Sequence, residues 1–277
     1  MVVGGGRPAV AGVEAARSAI LAAMSGSRGE EPSEADREPV PLPGDDGAAL
    51  GELDPATAAI VERVAPLTMT GPSRIVALVE AVRYCVRAGV PGAFAECGVW
   101  RGGSVLAMIA TLQELGVEDR PIYLYDTFEG MTEPTDHDTS PYHPPATELW
   151  CESSGNPWGE ILFDGETNSE PAVRAALEGS GYPMSRVELV RGPVEETLPG
   201  EAPDGVALLR LDTDWYESTL HELRHLFPRL ARGGVLIVDD YGHWEGCRRA
   251  VDEYFSTEAD PVLLQRIDYA ARLAVKA

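Results

Sequence analysis

The sequence is poor in several residue types, and each shortage excludes a class of protein. Its 277 residues contain four cysteines, with no CxxC pair, and a single lysine, Lys276, beside the end of the chain. No run of about 18 apolar residues is present, so we expect no membrane-spanning segment. The apolar stretch near the start carries Glu14 and Arg17, which does not fit a signal peptide. We therefore expect a cytoplasmic protein with reduced cysteines.

Positive charge is scarce as well. The chain has 22 lysine and arginine residues against 45 aspartate and glutamate residues, which gives a net charge of −23 and a pI near 4.5. A charge of this sign repels phosphate backbones, so nucleic acid is not an expected partner. Hydrophobic residues make up 44% of the chain, as in ordinary globular proteins. The composition predicts a globular protein that binds neither nucleic acid nor membrane.

The chain divides into an irregular start and one long domain. Residues 1–50 include a candidate helix at 9–24, followed by a stretch rich in Gly, Pro, Ser and acidic residues. This composition predicts an extension that is either partly disordered or used for oligomer docking. Residues 51–277 are predicted to form a single domain. A polar, proline-rich insertion at about 127–168 contains scattered aromatic residues, which favours a folded lid.

From residue 55 onward, helical and strand patterns alternate along the chain. The predicted strands cover residues 93–97, 121–126, 187–191, 206–211 and 235–238, with a terminal antiparallel pair at 262–266 and 271–275. The predicted helices cover residues 55–88 in two parts, 105–115, 171–179, 195–198, 215–230 and 246–255. Gly233-Gly234 is predicted to form the turn into the strand at 235–238. The alternation predicts an α/β fold with a doubly wound, Rossmann-like sheet.

Two of the predicted strands run directly into acidic residues. One strand is followed by Asp212 and Asp214, and the other by Asp239 and Asp240. In open α/β sheets, ligands bind at the carboxyl ends of the strands. Single acids at such positions commonly cap helices or face solvent, but four of them at one edge offer the oxygen ligands that Mg²⁺ prefers. The sequence therefore predicts a hard-cation site at this edge.

A glycine-rich loop follows the first predicted strand. Residues 96–103 read ECGVWRGG, which gives the spacing GxxxGG rather than the GxGxxG of dinucleotide sites. An acid before the glycines, Glu96, and a second acid after the next strand, Asp126, suit an adenosylmethionine site. There Asp126 would accept hydrogen bonds from the ribose hydroxyls, while Glu96 and the loop would contact the methionine end. A purely structural tight turn is the alternative.

Methyl transfer to an alcohol requires a base, because a free hydroxyl is a poor nucleophile at neutral pH. Lys276 lies too close to the chain end to fill this role, which leaves a carboxylate or a histidine. Asp212 is the first candidate, since it can contact metal and substrate together. His243 is the second, with a packing or helix-start role as its alternative.

Several stretches together resemble a known enzyme family. They are the loop at 98–103 (GVWRGG), the segment at 211–216 (LDTDWY) and the strand from Gly233-Gly234 to Asp239-Asp240-Tyr241. The turn at 68–74 and the triplet PRL at 228–230 add to the match, which runs from about Thr68 to Phe255. In this combination the sequence resembles the macrocin O-methyltransferase family.

The resemblance implies a class I methyltransferase fold, S-adenosyl-L-methionine as methyl donor and Mg²⁺ as cofactor. Members of the family methylate sugar hydroxyls of antibiotics and related natural products, and they form oligomers with a mobile lid. A glycoside acceptor and a homo-oligomer (dimer or higher) are therefore expected. By position, the metal ligands are Asp212, Asp239 and Asp240, and Asp212 is also the base. The positions expected to hold or flank the cofactor are Thr68, Met69, Glu96, Gly98, Arg101, Ser104, Asp126, Thr127, Gly192, Pro193 and Val194.

Three other readings are kept beside this one. Residues 1–50 and 132–168 match the family poorly and would hold the acceptor, so methylation of a catechol or other phenol is an alternative. A Rossmann-fold, NAD-dependent oxidoreductase is a second alternative, but the glycine spacing and the lack of a Tyr-x-x-x-Lys pair argue against it. A non-catalytic binding protein is the third, and the retention of all three metal-type carboxylates argues against that one.

Overall fold

The computed structural model describes residues 53–152 and 165–277. The extension predicted at 1–50 lies outside these residues, as does the middle of the predicted lid. Among the helices described, none is long and apolar enough to cross a membrane.

A single seven-stranded sheet forms the centre of the described chain, with the strand order β3-β2-β1-β4-β5-β7-β6. The strands are β1 (Ala93–Cys97), β2 (Ile122–Asp126), β3 (Val187–Arg191), β4 (Val206–Leu211), β5 (Leu230–Val238), β6 (Gln265–Arg266) and β7 (Arg272–Val275). The first five are parallel, whereas β7 is antiparallel to both β5 and β6. The predicted fold class is confirmed: this is the Rossmann-like sheet of class I methyltransferases with a terminal antiparallel pair.

Helices cover both faces of the sheet. They are α1 (Pro55–Val64), α2 (Pro72–Arg87), α3 (Gly103–Glu114), α4 (Ala146–Glu152), α5 (Glu170–Glu178), α6 (Val194–Thr197), α7 (Tyr216–Leu226) and α8 (Glu245–Thr257). Short 3₁₀ turns occur at Ala65–Leu67, Met184–Arg186 and Phe227–Arg229. Helix α4 lies inside the predicted insertion, where the sequence pattern indicated only a loop.

The central strands lack polar alternation because each of their faces is buried. On one face, Leu208, Val235 and Ile237 pack in the core layer that contains α2 and α3. On the other face, Leu209 and Leu236 pack in the layer that contains α7 and α8. This double coverage is typical of parallel sheets, and it leaves the carboxyl ends of the strands as the edge available to ligands.

The pair Gly233-Gly234 does not form the turn that the sequence predicted. Strand β5 begins before it, at Leu230, and passes through both glycines. The pairing with β4 shifts register between Val206 and Leu208, and Gly233 has a φ of 78°. The glycines therefore form an irregularity inside the strand, because a left-handed residue bends the backbone without ending the pairing.

The first part of the predicted lid is docked onto the ends of α7 and α8. The Asp138 side chain is fully buried and accepts hydrogen bonds from the Tyr216 N–H at 2.8 Å and the Thr135 N–H at 2.7 Å. The Trp215 indole donates to the Thr132 carbonyl at 2.9 Å, and the Glu245 N–H donates to the Thr139 carbonyl at 2.8 Å. This part of the segment is held by specific bonds at several points.

Replacing Asp138 with Ala is expected to lower the free energy of unfolding by about 1–3 kcal/mol, because buried N–H donors at Tyr216 and Thr135 lose their acceptor. Urea denaturation followed by tryptophan fluorescence would measure the change. The exposed neighbour Asp136 provides the control, and Asp136→Ala is expected to stay within about 0.5 kcal/mol of the parent. Equal stability of the two variants would contradict the docking role of Asp138.

Candidate active site

Three carboxylates converge at the carboxyl end of the sheet. Asp212 and Asp214 follow β4, and Asp240 follows β5; one oxygen from each lies within 4.8 Å of the others. The strand register produces this convergence, since Leu211 pairs with Val238 and the Asp239 N–H donates to the Leu211 carbonyl at 2.9 Å. Among the described residues, this is the one group of three or more acidic, histidine or cysteine side chains close enough to share a metal ion.

Asp239, which the resemblance placed among the metal ligands, contacts two arginines instead. Its Oδ1 accepts from Arg210 Nη2 at 2.7 Å, and its Oδ2 forms an ion pair with Arg74. Burial by itself would raise the pKa of Asp239, but the charges of Arg210 and Arg74 outweigh it and hold that pKa below its usual range. Asp239 is therefore ionised and already neutralised by protein cations.

The pKa values of the other carboxyls in the cluster are shifted in the opposite direction. Burial raises the pKa of Asp214 to about 7, with repulsion from Asp212 adding to the effect. Burial and the charges of Asp214 and Asp239 also raise the pKa of Asp240. The Oδ2 atom of Asp240 is buried with no hydrogen-bond partner among the described residues. A set of crowded, under-neutralised carboxylate oxygens fits a hard divalent cation.

Arg210 is the buried charge that links this cluster to the first strand. It lies on β4, is 1% exposed, and pairs with Glu96 as well as with Asp239 and, at 2.8 Å, with Asp212. Burial raises the pKa of Glu96 to about 7 despite the arginine. Arg210 was not among the predicted site residues, because it stands inside the apolar run LLRL; its signal is a single charge in a strand otherwise suited to full burial.

The glycine loop is packed directly against the acidic cluster. Gly98 has a φ of 83°, and a Cβ at this position would overlap the backbone carbonyl of Asp212. The Asp212 N–H donates to the Cys97 carbonyl at 2.9 Å, so a backbone hydrogen bond joins the ends of β1 and β4 beside this contact. Only glycine allows the two backbones to approach so closely.

Asp126 holds the same loop from the other side. Its Oδ2 accepts from the N–H groups of Val99 at 2.6 Å and Trp100 at 3.1 Å, and its Oδ1 accepts from Phe128 N–H at 2.7 Å. Trp100 has a φ of 51°, a strained conformation for a side chain of that size, which these bonds stabilise. A carboxylate offers about four acceptor positions, so Asp126 retains capacity for a ligand hydroxyl.

One cavity is lined by both the glycine loop and the acidic cluster. The predicted cofactor and metal residues that line it are Thr68, Met69, Gly98, Ser104, Asp126, Thr127, Gly192, Pro193, Val194, Asp212, Asp239 and Asp240. Asp214 of the predicted acidic edge and Trp100 of the glycine loop line it as well, together with residues that were not predicted as ligand contacts, among them Thr70, Arg74, Met131, Thr132, Arg210 and Thr213. Arg74 and Thr132 come from segments whose sequence patterns indicated only a helix start and a loop.

Two predicted cofactor residues are not in the lining. Glu96 is 1% exposed and pairs with Arg210 beneath the cavity, so a direct contact with the methionine end is not supported. Arg101 points away: its Nε donates to Asn168 Oδ1 at 2.9 Å, and its guanidinium lies over the Trp100 ring. Both side chains support the loop rather than face the cavity.

His243, the second candidate base, is also outside the lining and is part of a histidine pair. His143 Nδ1 donates to the Pro144 carbonyl at 3.0 Å, so its Nε2 accepts from His243 Nε2 at 3.1 Å. His243 Nδ1 then accepts from the Tyr269 hydroxyl at 3.0 Å. Burial, with His143 and Arg74 nearby, lowers the pKa of His243 to about 3. Both ring nitrogens of His243 are engaged by these neighbours, which favours the alternative of a packing role.

Residues 60–274 match the family described as Macrocin-O-methyltransferase (TylF). The chain belongs to the macrocin O-methyltransferase family. One relative, from Streptomyces olivaceus, is named 8-demethyl-8-(2,3-dimethoxy-alpha-L-rhamnosyl)-tetracenomycin-C 4'-O-methyltransferase. This tetracenomycin-C relative is 37% identical over 191 residues, which cover 68% of this chain and 67% of that protein. Mycinamicin III 3''-O-methyltransferase from Micromonospora griseorubida is 35% identical over 187 residues, covering 68% of this chain and 69% of the relative.

A solved structure agrees with the sequence relatives. The O-methyltransferase NovP superposes with a TM-score of 0.66 and 30% identity, over 76% of this chain and 82% of that one. The predicted family is confirmed, and the protein is an O-methyltransferase. Family membership also removes the alternative of an NAD-dependent oxidoreductase.

The ion pairs of Asp239 lead to a stability prediction for the protein without cation. Asp239→Asn leaves the guanidinium groups of Arg74 and Arg210 without the carboxylate between them, and removing one partner of a buried ion pair costs about 3–5 kcal/mol. We expect the free energy of unfolding, measured by urea denaturation, to fall by about that amount.

Asp214→Asn is the matched control, because it removes a neighbouring carboxyl that has no such pair. The folded protein holds the Asp214 proton up to about pH 7, whereas the unfolded chain releases it near 3.8. Wild-type stability therefore falls as pH rises through this window, and Asp214→Asn is expected to gain stability relative to wild type. A loss in Asp214→Asn as large as that in Asp239→Asn would contradict the assignment of charge states.

Proposed function

We propose that this enzyme transfers the methyl group of S-adenosyl-L-methionine to a sugar hydroxyl of a glycosylated natural product, with Mg²⁺ bound at the acidic cluster. The observation that carries the proposal is the shared cavity, which is lined by the glycine loop after β1 and by the carboxylates after β4 and β5. A methyl donor at the loop and a hydroxyl at the carboxylates would then be neighbours, as direct transfer requires.

The acceptor class is supported by the relatives. The tetracenomycin-C relative is named for an acceptor that carries a rhamnosyl group, and the second relative is named for mycinamicin III. A third relative, from Streptomyces niveus, is named as a demethyldecarbamoylnovobiocin O-methyltransferase. Their identities to this chain are 32–37%. By similarity, we infer that the acceptor of this enzyme is a glycosylated natural product and that a hydroxyl of its sugar is methylated.

The cofactor would lie against the glycine loop. Asp126 would accept a hydrogen bond from the ribose with its remaining capacity, while Ser104, near the start of α3, and Thr68 lie at the other side of the loop. Gly192, Pro193 and Val194 line the wall beyond β3. Glu96 would act through Arg210 and not by direct contact.

The cation would be held by Asp212 and Asp240, with a third carboxylate beside them. The resemblance points to Asp239, whereas the convergence of oxygens points to Asp214. Asp239 could serve only by releasing or sharing one of its arginines, because each of its oxygens already accepts a charged donor. The geometry therefore favours Asp214. When bound, the cation would supply a Lewis acid that lowers the pKa of an acceptor hydroxyl.

Asp212 is the group we assign as base. It lines the cavity beside the glycine loop, and burial raises its pKa well above that of an ordinary aspartate, which improves its ability to take a proton. Arg210, at 2.8 Å from Asp212 Oδ2, limits this shift and fixes the side chain. His243 is a poor base by comparison, since its acceptor nitrogen is engaged by the Tyr269 hydroxyl.

Calorimetry with S-adenosyl-L-methionine, and with NAD as the control ligand, tests the cofactor. We expect saturable binding of the first and none of the second. Asp126→Ala should weaken cofactor binding, because it removes both the ribose acceptor and the bonds that shape the loop. Binding of NAD in preference to S-adenosyl-L-methionine would overturn the proposal.

The chemical roles are tested by methyl incorporation into a panel of deoxysugar glycosides and catechols, followed by mass spectrometry. We expect methylation of a glycoside, loss of activity in EDTA, and recovery with Mg²⁺. Asp212→Asn should remain inactive at any Mg²⁺ concentration, with a loss of at least about 100-fold. Near-normal turnover of that variant would remove Asp212 as base, and methylation of catechols alone would establish the phenol alternative.

A further inference from the structure

Glu222 is a buried carboxyl that the proposed reaction does not use. It lies on α7, is 0% exposed, and is surrounded by the apolar layer that contains Leu223 and Trp215. Its Oε1 accepts a hydrogen bond from the Thr213 hydroxyl at 2.9 Å, and its Oε2 has no hydrogen-bond partner among the described residues. A carboxyl in such a place carries a large desolvation cost, so its contact with Thr213 requires an explanation.

Thr213 is the residue between two members of the acidic cluster, Asp212 and Asp214. Its carbonyl accepts from the Trp215 N–H at 2.7 Å, which closes a tight turn. Asp214 within that turn has a φ of 67°, a left-handed conformation that is uncommon for a residue with a side chain. Backbone of this kind persists only where the surrounding contacts fix it. The Thr213 hydroxyl, pulled inward to Glu222, is one of those contacts.

The charge state of Glu222 suits this position. Burial raises its pKa well above the ordinary value, which favours the neutral form of the side chain. A neutral carboxyl can accept from Thr213 without adding a further negative charge beneath the crowded carboxylates of Asp212, Asp214 and Asp240. The Cys97 thiol, whose own carbonyl binds the Asp212 N–H, is the other polar group beside Glu222. Glu222 thus supports the junction of β1, β4 and the acidic turn.

The segment 221–225 reads HELRH, which is the spacing of a zinc-binding helix in metalloproteases. The side chains do not act together in this fold. Glu222 bonds to Thr213, while His221 Nε2 contacts the Leu198 carbonyl at 3.2 Å. Within the described chain, no third ligand joins the two histidines, since the acidic cluster is the one group of sufficient size. Glu222 therefore belongs to the acidic turn.

We propose that Glu222 is a positioning residue, which acts through the Thr213 hydroxyl to hold the turn 212–214 in the geometry that binds the divalent cation. This inference rests on the proposed cation at the acidic cluster. Partners that orient the ligands of a metal site typically contribute about 10–100-fold in affinity. The acceptor oxygen of Glu222, and not its charge, is the feature that matters.

The test uses calorimetric titration of the full-length protein with Mg²⁺. Thr213→Val and Glu222→Met, which remove the donor and the acceptor at similar volume, should each raise the Kd for Mg²⁺ about 10–100-fold. The double variant should be no weaker than the poorer single variant, since one bond is lost in all three. Thr213→Ser and Glu222→Gln keep the bond and should restore the affinity to within about threefold of wild type.

Thr219→Val is the matched control, because Thr219 is a buried threonine on the same helix whose hydroxyl lies beside Cys247 of α8. Hydrogen–deuterium exchange over residues 212–216, without cation, gives a second readout: faster exchange is expected in Thr213→Val and not in Thr219→Val. Should Glu222→Met fail to fold, the Thr213 variants carry the same test.

The outcomes separate the two proposals. Wild-type Mg²⁺ affinity in folded Thr213→Val or Glu222→Met would overturn the positioning role. Failure of Glu222→Gln to restore affinity would also overturn it, because charge rather than the acceptor would then be required. Absence of Mg²⁺ binding by wild type would overturn the proposed cation, and the positioning role with it, while the exchange data would still show whether Glu222 holds the turn.

Discussion

The acidic edge of this sheet depends on a buried arginine. Arg210 is fully enclosed on the central strand and faces the carboxylates of Glu96, Asp212 and Asp239. Without a protein cation at this point, Asp239 could not remain ionised in a buried setting, and the pKa values of Glu96 and Asp212 would be raised further. Arg74 adds a second positive charge on the outer side of Asp239. Asp214 and Asp240 have no arginine paired with them among the described residues, so the protein does not neutralise the negative charge that these two carboxyls would carry.

Most of the fold was predictable from the sequence, because burial on both faces leaves a clear signature in strands such as β4 and β5. The acids at the strand ends and the glycine loop were predictable for the same reason, since parallel strands deliver their carboxyl ends to one edge. The sequence could not indicate which way each side chain turns. The adjacent residues Asp239 and Asp240 have different partners, since Asp239 meets two arginines and Asp240 converges with Asp212 and Asp214.

The differences from expectation share a physical cause, which is competition for polar partners over long sequence distances. Glu96 and Arg101 were expected at the cofactor but are engaged by Arg210 and Asn168. His243 was a candidate base but shares its nitrogens with His143 and Tyr269. Gly233-Gly234 forms an irregularity inside β5 and not a turn before it, because β5 pairs with β4 on both sides of these glycines. No local pattern contains this information, since each partner lies 26 to 114 residues away or on another strand.

The contact at Gly98 has a wider consequence. Because the backbone of the glycine loop rests on the backbone carbonyl of Asp212, the span from donor loop to acidic edge is set by main-chain atoms. Side-chain replacement elsewhere cannot lengthen or shorten it. The segment around Asp138, by contrast, is attached to the ends of α7 and α8 and not to that contact. The spacing between the glycine loop and the acidic edge is therefore independent of how the segment around Asp138 is built.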